Sequence, residues 1–259
     1  MAQEPRGADT AGTTAGAGAA GKPAGTGAAG TGGAGTGGPR PNPAAGWNRM
    51  MIADVHLAFP TPILQHHFDN TEALNTALRR IVQEHEKRKP GKQVSLVDGW
   101  HSETDLLAWP EPEIQTLRQM IFEAVQYMSN VVSDTTASPL SFPVVAAEAW
   151  ANVSRDRAYH KVHNHMGSTW SGVYYVATGS SDKSAPDSGT IEFLDPRPNG
   201  ESGTLVGAPF TSKLSFRPQP GMMVMFPSWI YHYVNPFRGK GTRISIAFNL
   251  KLGAPERRG

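Results

Sequence analysis

"GMMVMFPSWIYHYVNPFRGKGTRISIAFNLKL", residues 221–252, decides the architecture. A Pro-Gly turn (Pro220, Gly221) opens an apolar run, a second aromatic-rich run carries His232, and a third run reaches Leu252 through Arg243. Short β-branched and aromatic runs separated by Gly, Pro and Asn read as strands, not helices. The same texture fills the preceding stretch in "VVAAEAWANV" (144–153), "GVYYVAT" (172–178), "GTIEFLD" (189–195) and "KLSFRP" (213–218). Their spacing suits an antiparallel sandwich or barrel of about eight strands. No fixed-period repeat occurs, which excludes propellers and solenoids.

Two helices precede this region. Leu74, Leu78, Ile81 and Val82 recur at helical spacing behind the cap candidates Asp69 and Asn70, and Pro90-Gly91 ends the pattern. A second stripe, Ile114, Leu117, Ile121, Val125 and Met128, follows Pro112, whose missing N–H costs little in a first turn. "VSLVDGWHSETDLLAW" (94–109) has no clear period and stays unassigned. The expected fold class is therefore mainly β with flanking α: a jelly roll at about 142–252, inside a single domain spanning 47–259.

Residues 1–46 are dominated by Gly, Ala, Thr and Pro. Such a segment lacks the apolar surface to offset its ordering entropy and is expected to be a disordered tail. It has neither the basic leader nor the run of large apolar residues of a signal peptide. No window approaches the roughly 20 apolar residues of a membrane span. The net charge is +2 with scattered basic residues, so no nucleic-acid stripe is visible. The chain has no cysteine, which fits a cytoplasmic protein and leaves nitrogen and oxygen to hold any metal.

Three of the nine histidines, His160, His163 and His165, fall within six residues. On a strand, side chains at i and i+2 share a face, so His163 and His165 project together while His160 faces elsewhere, as a structural or substrate-side residue. Paired imidazoles suit Fe, Zn, Cu or Ni. Eleven residues beyond His232, Arg243 sits within a strand-like run. It either meets a carboxylate such as Glu192 or Asp195, lies on a solvated face, or turns inward to fork a ligand carboxylate.

The order H-x-H, "YYV", "GTIEF", P-x-x-G-x-x-x-x-F, a second His and R-x-S resembles the Fe(II)- and 2-oxoglutarate-dependent dioxygenases, whose core is a double-stranded β-helix. "HNHMGSTWSGVYYV", "FPSWIYHYVNP" and "RISIAFN" look closest to a bacterial and phage 2OG-Fe(II) oxygenase group, over roughly Trp150 to Leu250. The resemblance implies Fe(II), 2-oxoglutarate as co-substrate and O2. It makes His163 and His232 metal ligands and Arg243 the partner of the C5 carboxylate. Ser245 and Tyr175 would add donors there, and Asn152 would lie in the same pocket. The family's usual carboxylate falls at His165. Either His165 replaces it as the third metal ligand, or Glu192 or Asp195 supplies the oxygen, or His165 stands behind the ligands.

The implied reaction is hydroxylation of a small-molecule substrate, with succinate and CO2 released. Trp150, Trp170, Phe193, Phe226 and Trp229 are expected to line the site or fill the core. The loops 179–189 and 197–209 are its expected rim. The alternative is a non-catalytic, cupin-like binding module, in which Arg243 has no evident purpose. A zinc hydrolase is disfavoured because H-E-x-x-H is missing, and Ser-His-Asp chemistry because G-x-S-x-G is missing.

Overall fold

The computed structural model describes residues 59–197 and 212–257. The expected tail and nearly all of the 197–209 loop lie outside them.

Both helices form where their stripes place them. α1 (Glu72–Arg88) buries Leu78, Ile81 and Val82 and stops at Lys89, which is extended because it precedes Pro90. α2 (Pro112–Val132) starts on its proline and buries all five residues of its predicted stripe. The unassigned segment holds a strand, β2 (Leu96–His101), followed by a 3-10 turn at Leu106–Ala108. The remaining strands are β1 (Leu64–His67), β3 (Leu140–Ser141), β4 (Val144–His163), β5 (Trp170–Ser181), β6 (Ile191–Leu194), β7 (Lys213–Phe216), β8 (Met222–Pro227), β9 (His232–Val234), β10 (Gly239–Leu252) and β11 (Glu256–Arg257).

One sheet runs in the order β1-β8-β5-β10-β4-β9-β6-β7, with β2 also on β4, while β3 and β11 pair separately. Its ladders are antiparallel. β4 makes the sheet curl. Its first half pairs with β10, its last residues pair with β9, and β2 runs alongside from Asn152 to His160. Between the β10 and β9 pairings Arg157 takes φ 73° and the register with β2 jumps, a bulge that bends the strand. The result is a jelly roll backed by two helices.

The two faces of β10 have opposite characters. Ile244, Ile246, Phe248 and Leu250 are fully buried in the core shared with α1 and α2. At roughly 1.5–3 kcal/mol each, they offset much of the cost of a polar inner face. Arg243, Ser245, Ala247 and Asn249 occupy that inner face, where Val173, Tyr175, Ile191, Phe193, Phe226 and Val234 also lie. Trp170 sits on the helix side, its Nε1 donating to Ser129 Oγ at 2.9 Å, so it is core and not cavity lining.

Candidate functional site

Two strands and one turn deliver the histidines to one mouth of the curled sheet. His163 and His232 are direct partners across β4 and β9, which puts both rings on one face, their centroids 4.4 Å apart. His165 lies just past the end of β4 in a turn tied to the sheet by its N–H donating to Ser228 O at 2.8 Å. Its ring is 5.0 Å from His163 and 5.2 Å from His232. One ligand nitrogen from each of the three falls within 4.8 Å of the others. Spacing brought His165 to the right place, although the turn rather than strand alternation holds it there.

His160 departs from its expected orientation. It pairs with Val234 while His163 pairs with His232, so three residues of β4 oppose two of β9. This one-residue bulge reverses the parity and turns His160 inward, where it lines the same cavity 6.2 Å from His163. Its Nδ1 lies 3.3 Å from Ser95 Oγ.

Two of the imidazoles have a set tautomer. Nδ1 of His163 donates to Lys161 O at 2.6 Å, and Nδ1 of His232 donates to Ile230 O at 3.1 Å. Each therefore keeps the Nε2 lone pair free. Phe193 and Phe226 pack around His232 with centroids at 5.7 and 4.7 Å. Burial, and then the charge of His163, lowers His165 to about 4 and His232 to about 3; burial also lowers His163 against its carbonyl contact. Burial, followed by the charge of Arg243, holds His160 well below its ordinary value. All four are thus neutral at neutral pH, the form that ligates metal.

This has a consequence for the metal-free protein. These histidines have lower values folded than the 6.5 they recover when unfolded. Above that value they add no pH dependence. As pH falls through about 6.5 the unfolded chain takes up protons that the folded one refuses, so stability declines until about pH 4 to 3. Thermal midpoints of metal-free protein are expected to stay level from pH 7.5 to about 6.5 and to fall from there to pH 5, and His165→Ala should flatten that slope.

At the other end of the cavity lies Arg243. It is 3 % exposed, its Nε has no hydrogen-bond partner, and it forms no ion pair with a described carboxylate. Its guanidinium carbon sits 5.2 Å from the Tyr175 ring centroid. The register sets Tyr175 and Asn152 on either side of Ser245, a polar row across β5, β10 and β4. All three are buried, and Tyr175 OH and Asn152 Oδ1 also lack partners. Burial pushes the Tyr175 phenol up to about 12 against the pull of Arg243, so its hydroxyl is a neutral donor. A cation and two hydroxyls gathered in a buried pocket are a donor set that suits a carboxylate.

The other proposed partners are engaged elsewhere. Glu192 pairs with Tyr233 and so faces away from His232. It accepts from Lys213 Nζ at 2.7 Å, from Asn235 Nδ2 at 2.9 Å and from the Tyr233 hydroxyl. Asp195 accepts from Arg197 Nε at 2.9 Å. Neither joins the histidine cluster, which contains no carboxylate among the described residues. The 179–189 loop closes the arginine end rather than rimming the histidines: Gly189, at φ 64°, lies against the Arg243 side chain. Trp150 and Phe226 line the cavity, and Trp229 is half-exposed.

Asn249 was not anticipated, although it shares the parity of Arg243 and Ser245 along β10. Its Nδ2 lies 3.5 Å from His165 Nδ1, and its Oδ1 accepts from Ser171 Oγ at 2.7 Å.

Residues 148–249 match the model of a family described as "Putative 2OG-Fe(II) oxygenase". That span contains every residue proposed for the site. No curated protein matches. Among solved structures, a Pseudomonas putida prolyl-4-hydroxylase is similar with a TM-score of 0.52 and 15 % identity, over 77 % of this chain and 94 % of that one. The non-heme alpha ketoglutarate dependent carbocyclase SnoK from nogalamycin biosynthesis scores 0.50 at 12 % identity, over 76 % and 82 %. The epimerase SnoN from the same biosynthesis scores 0.50 at 12 % identity, over 77 % and 81 %. The matched family is described as one of 2OG-Fe(II) oxygenases, SnoK and SnoN are described as alpha ketoglutarate dependent, and these neighbours share this chain's jelly-roll core. Among the described residues no helix is long and apolar enough to cross a membrane.

Proposed function

We propose that the chain is an Fe(II)- and 2-oxoglutarate-dependent dioxygenase that hydroxylates a C–H bond of a small molecule. The observation that carries this reading is Arg243, a buried guanidinium without a carboxylate partner among the described residues, at the closed end of a cavity whose mouth holds three histidines. A cation so placed is costly unless an anion joins it. 2-Oxoglutarate is a short diacid, able to offer a carboxylate to Arg243 while its 2-oxo acid end faces the histidines.

In this reading His163, His165 and His232 hold the metal through neutral nitrogens. Arg243 forks the C5 carboxylate, and Tyr175 and Ser245 donate to it. Asn152 completes the wall of the pocket, and Phe193, Phe226 and Trp150 keep water from the reacting end. The chemistry that iron and the 2-oxo acid bring when bound is oxidative decarboxylation by O2, yielding succinate and CO2 and leaving one oxygen atom for the substrate. Three neutral ligands leave one more positive charge on the metal complex than two histidines and a carboxylate do.

The test is succinate release. Purified protein with Fe(II), 2-oxoglutarate and O2 is expected to form succinate even without its substrate, at a slow uncoupled rate. Metal binding without any consumption or binding of 2-oxoglutarate would favour a binding module instead. His165→Asp, which restores a carboxylate, is expected to retain metal and succinate formation, whereas His165→Ala should weaken metal binding. Equal metal affinity in His165→Ala and the parent would remove His165 from the ligand set.

A further inference from the structure

The three histidines differ in what stands behind them. His163 and His232 each face a backbone carbonyl, an acceptor that cannot change role. His165 faces the side-chain amide of Asn249, which presents a donor on one side and an acceptor on the other. A neutral imidazole that ligates through Nε2 carries its proton on Nδ1. Against that tautomer the amide nitrogen of Asn249 sets donor against donor. The long 3.5 Å separation contrasts with 2.6 and 3.1 Å at the other two rings.

Turning the amide over removes the conflict. Oδ1 then accepts from His165 Nδ1, and Nδ2 turns to Ser171. The Ser171 hydroxyl, which now donates to Oδ1 at 2.7 Å, accepts equally well. Ser171 and Asn249 are direct partners across β5 and β10, so this anchor is set by the sheet itself. Ser171 is buried, which keeps water from competing for the amide.

Building on the metal reading above, we propose that Asn249 is the positioning residue that decides whether His165 ligates. With its nitrogen toward His165, the amide matches the tautomer whose Nε2 is protonated and cannot bind metal. With its oxygen toward His165, it matches the ligating tautomer, and Ser171 supports both arrangements. A two-histidine site thereby becomes a three-histidine site by rotation of one amide.

The test is Co(II) binding to metal-free protein, followed by its visible ligand-field bands, with no 2-oxoglutarate present. Asn249→Leu is expected to weaken Co(II) binding about 10- to 100-fold and to give bands like those of His165→Ala. Asn249→Asp accepts only, so it should bind Co(II) at least as tightly as the parent, an opposite sign that lost packing cannot produce. Ser171→Ala loosens the anchor and should fall between; it also decides the matter if Asn249→Leu fails to fold. Parent-like affinity and bands in both Asn249→Leu and Ser171→Ala would overturn the proposal, as would equal weakening by Asn249→Asp. If the parent binds no Co(II), or His232→Ala binds it unchanged, the metal reading fails and takes this inference with it.

Discussion

Arg243→Met is expected to weaken 2-oxoglutarate binding by about two to three orders of magnitude while leaving metal content nearly intact. The size follows from removing one partner of a buried, hydrogen-bonded charge pair, which costs about 2–5 kcal/mol. Methionine keeps an unbranched stem for the space beside Tyr175 and Gly189 and removes the charge. The ligand-free protein should respond in the opposite direction. There the guanidinium is buried without an anion among the described residues, so the variant should melt no lower than the parent. Calorimetric titration with 2-oxoglutarate and a melting curve, on the same two proteins, measure both effects. Loss of metal in this variant would contradict the division of labour between the two ends of the cavity.

His232→Ala should have the larger effect on metal. The ring is almost fully buried, with Phe193 and Phe226 packed around it and its tautomer set by Ile230 O. Among the described residues no nearby carboxylate is free to take its place, since Glu192 faces away and is bound by three donors. The expected loss of affinity exceeds the roughly 100-fold that removal of an outer hydrogen-bond partner costs, and succinate formation should vanish with it. Metal analysis after dialysis against a weak chelator reads the first effect directly. Full activity in this variant would remove His232 from the site.

Much of this was legible in the sequence because period and parity are local properties. The stripes of α1 and α2, and the shared parity of Arg243 and Ser245, follow from residues a few positions apart. What escaped depends on pairing. β1 is a short, polar edge strand, and β2 is broken by Asp98, at φ 56°, beside a register shift. His160 was turned inward by a bulge visible only against β9. Trp170 and Trp150 read alike as aromatic strand residues, yet one packs on α2 and the other lines the cavity. Glu192 seemed available as a ligand until β6 found its register with β9. Asn249 carried the right parity, but its meaning appears only when His165 is brought from 84 residues away.

The most direct measurement is an anaerobic titration of metal-free protein, first with Fe(II) and then with 2-oxoglutarate, followed by visible absorption. The account predicts a weak metal-to-ligand charge-transfer band only when both are present, because the 2-oxo acid chelates iron held by the histidines. Arg243→Met should then require far more 2-oxoglutarate to reach the same band. Tight Fe(II) binding with no band at any 2-oxoglutarate concentration would contradict the account.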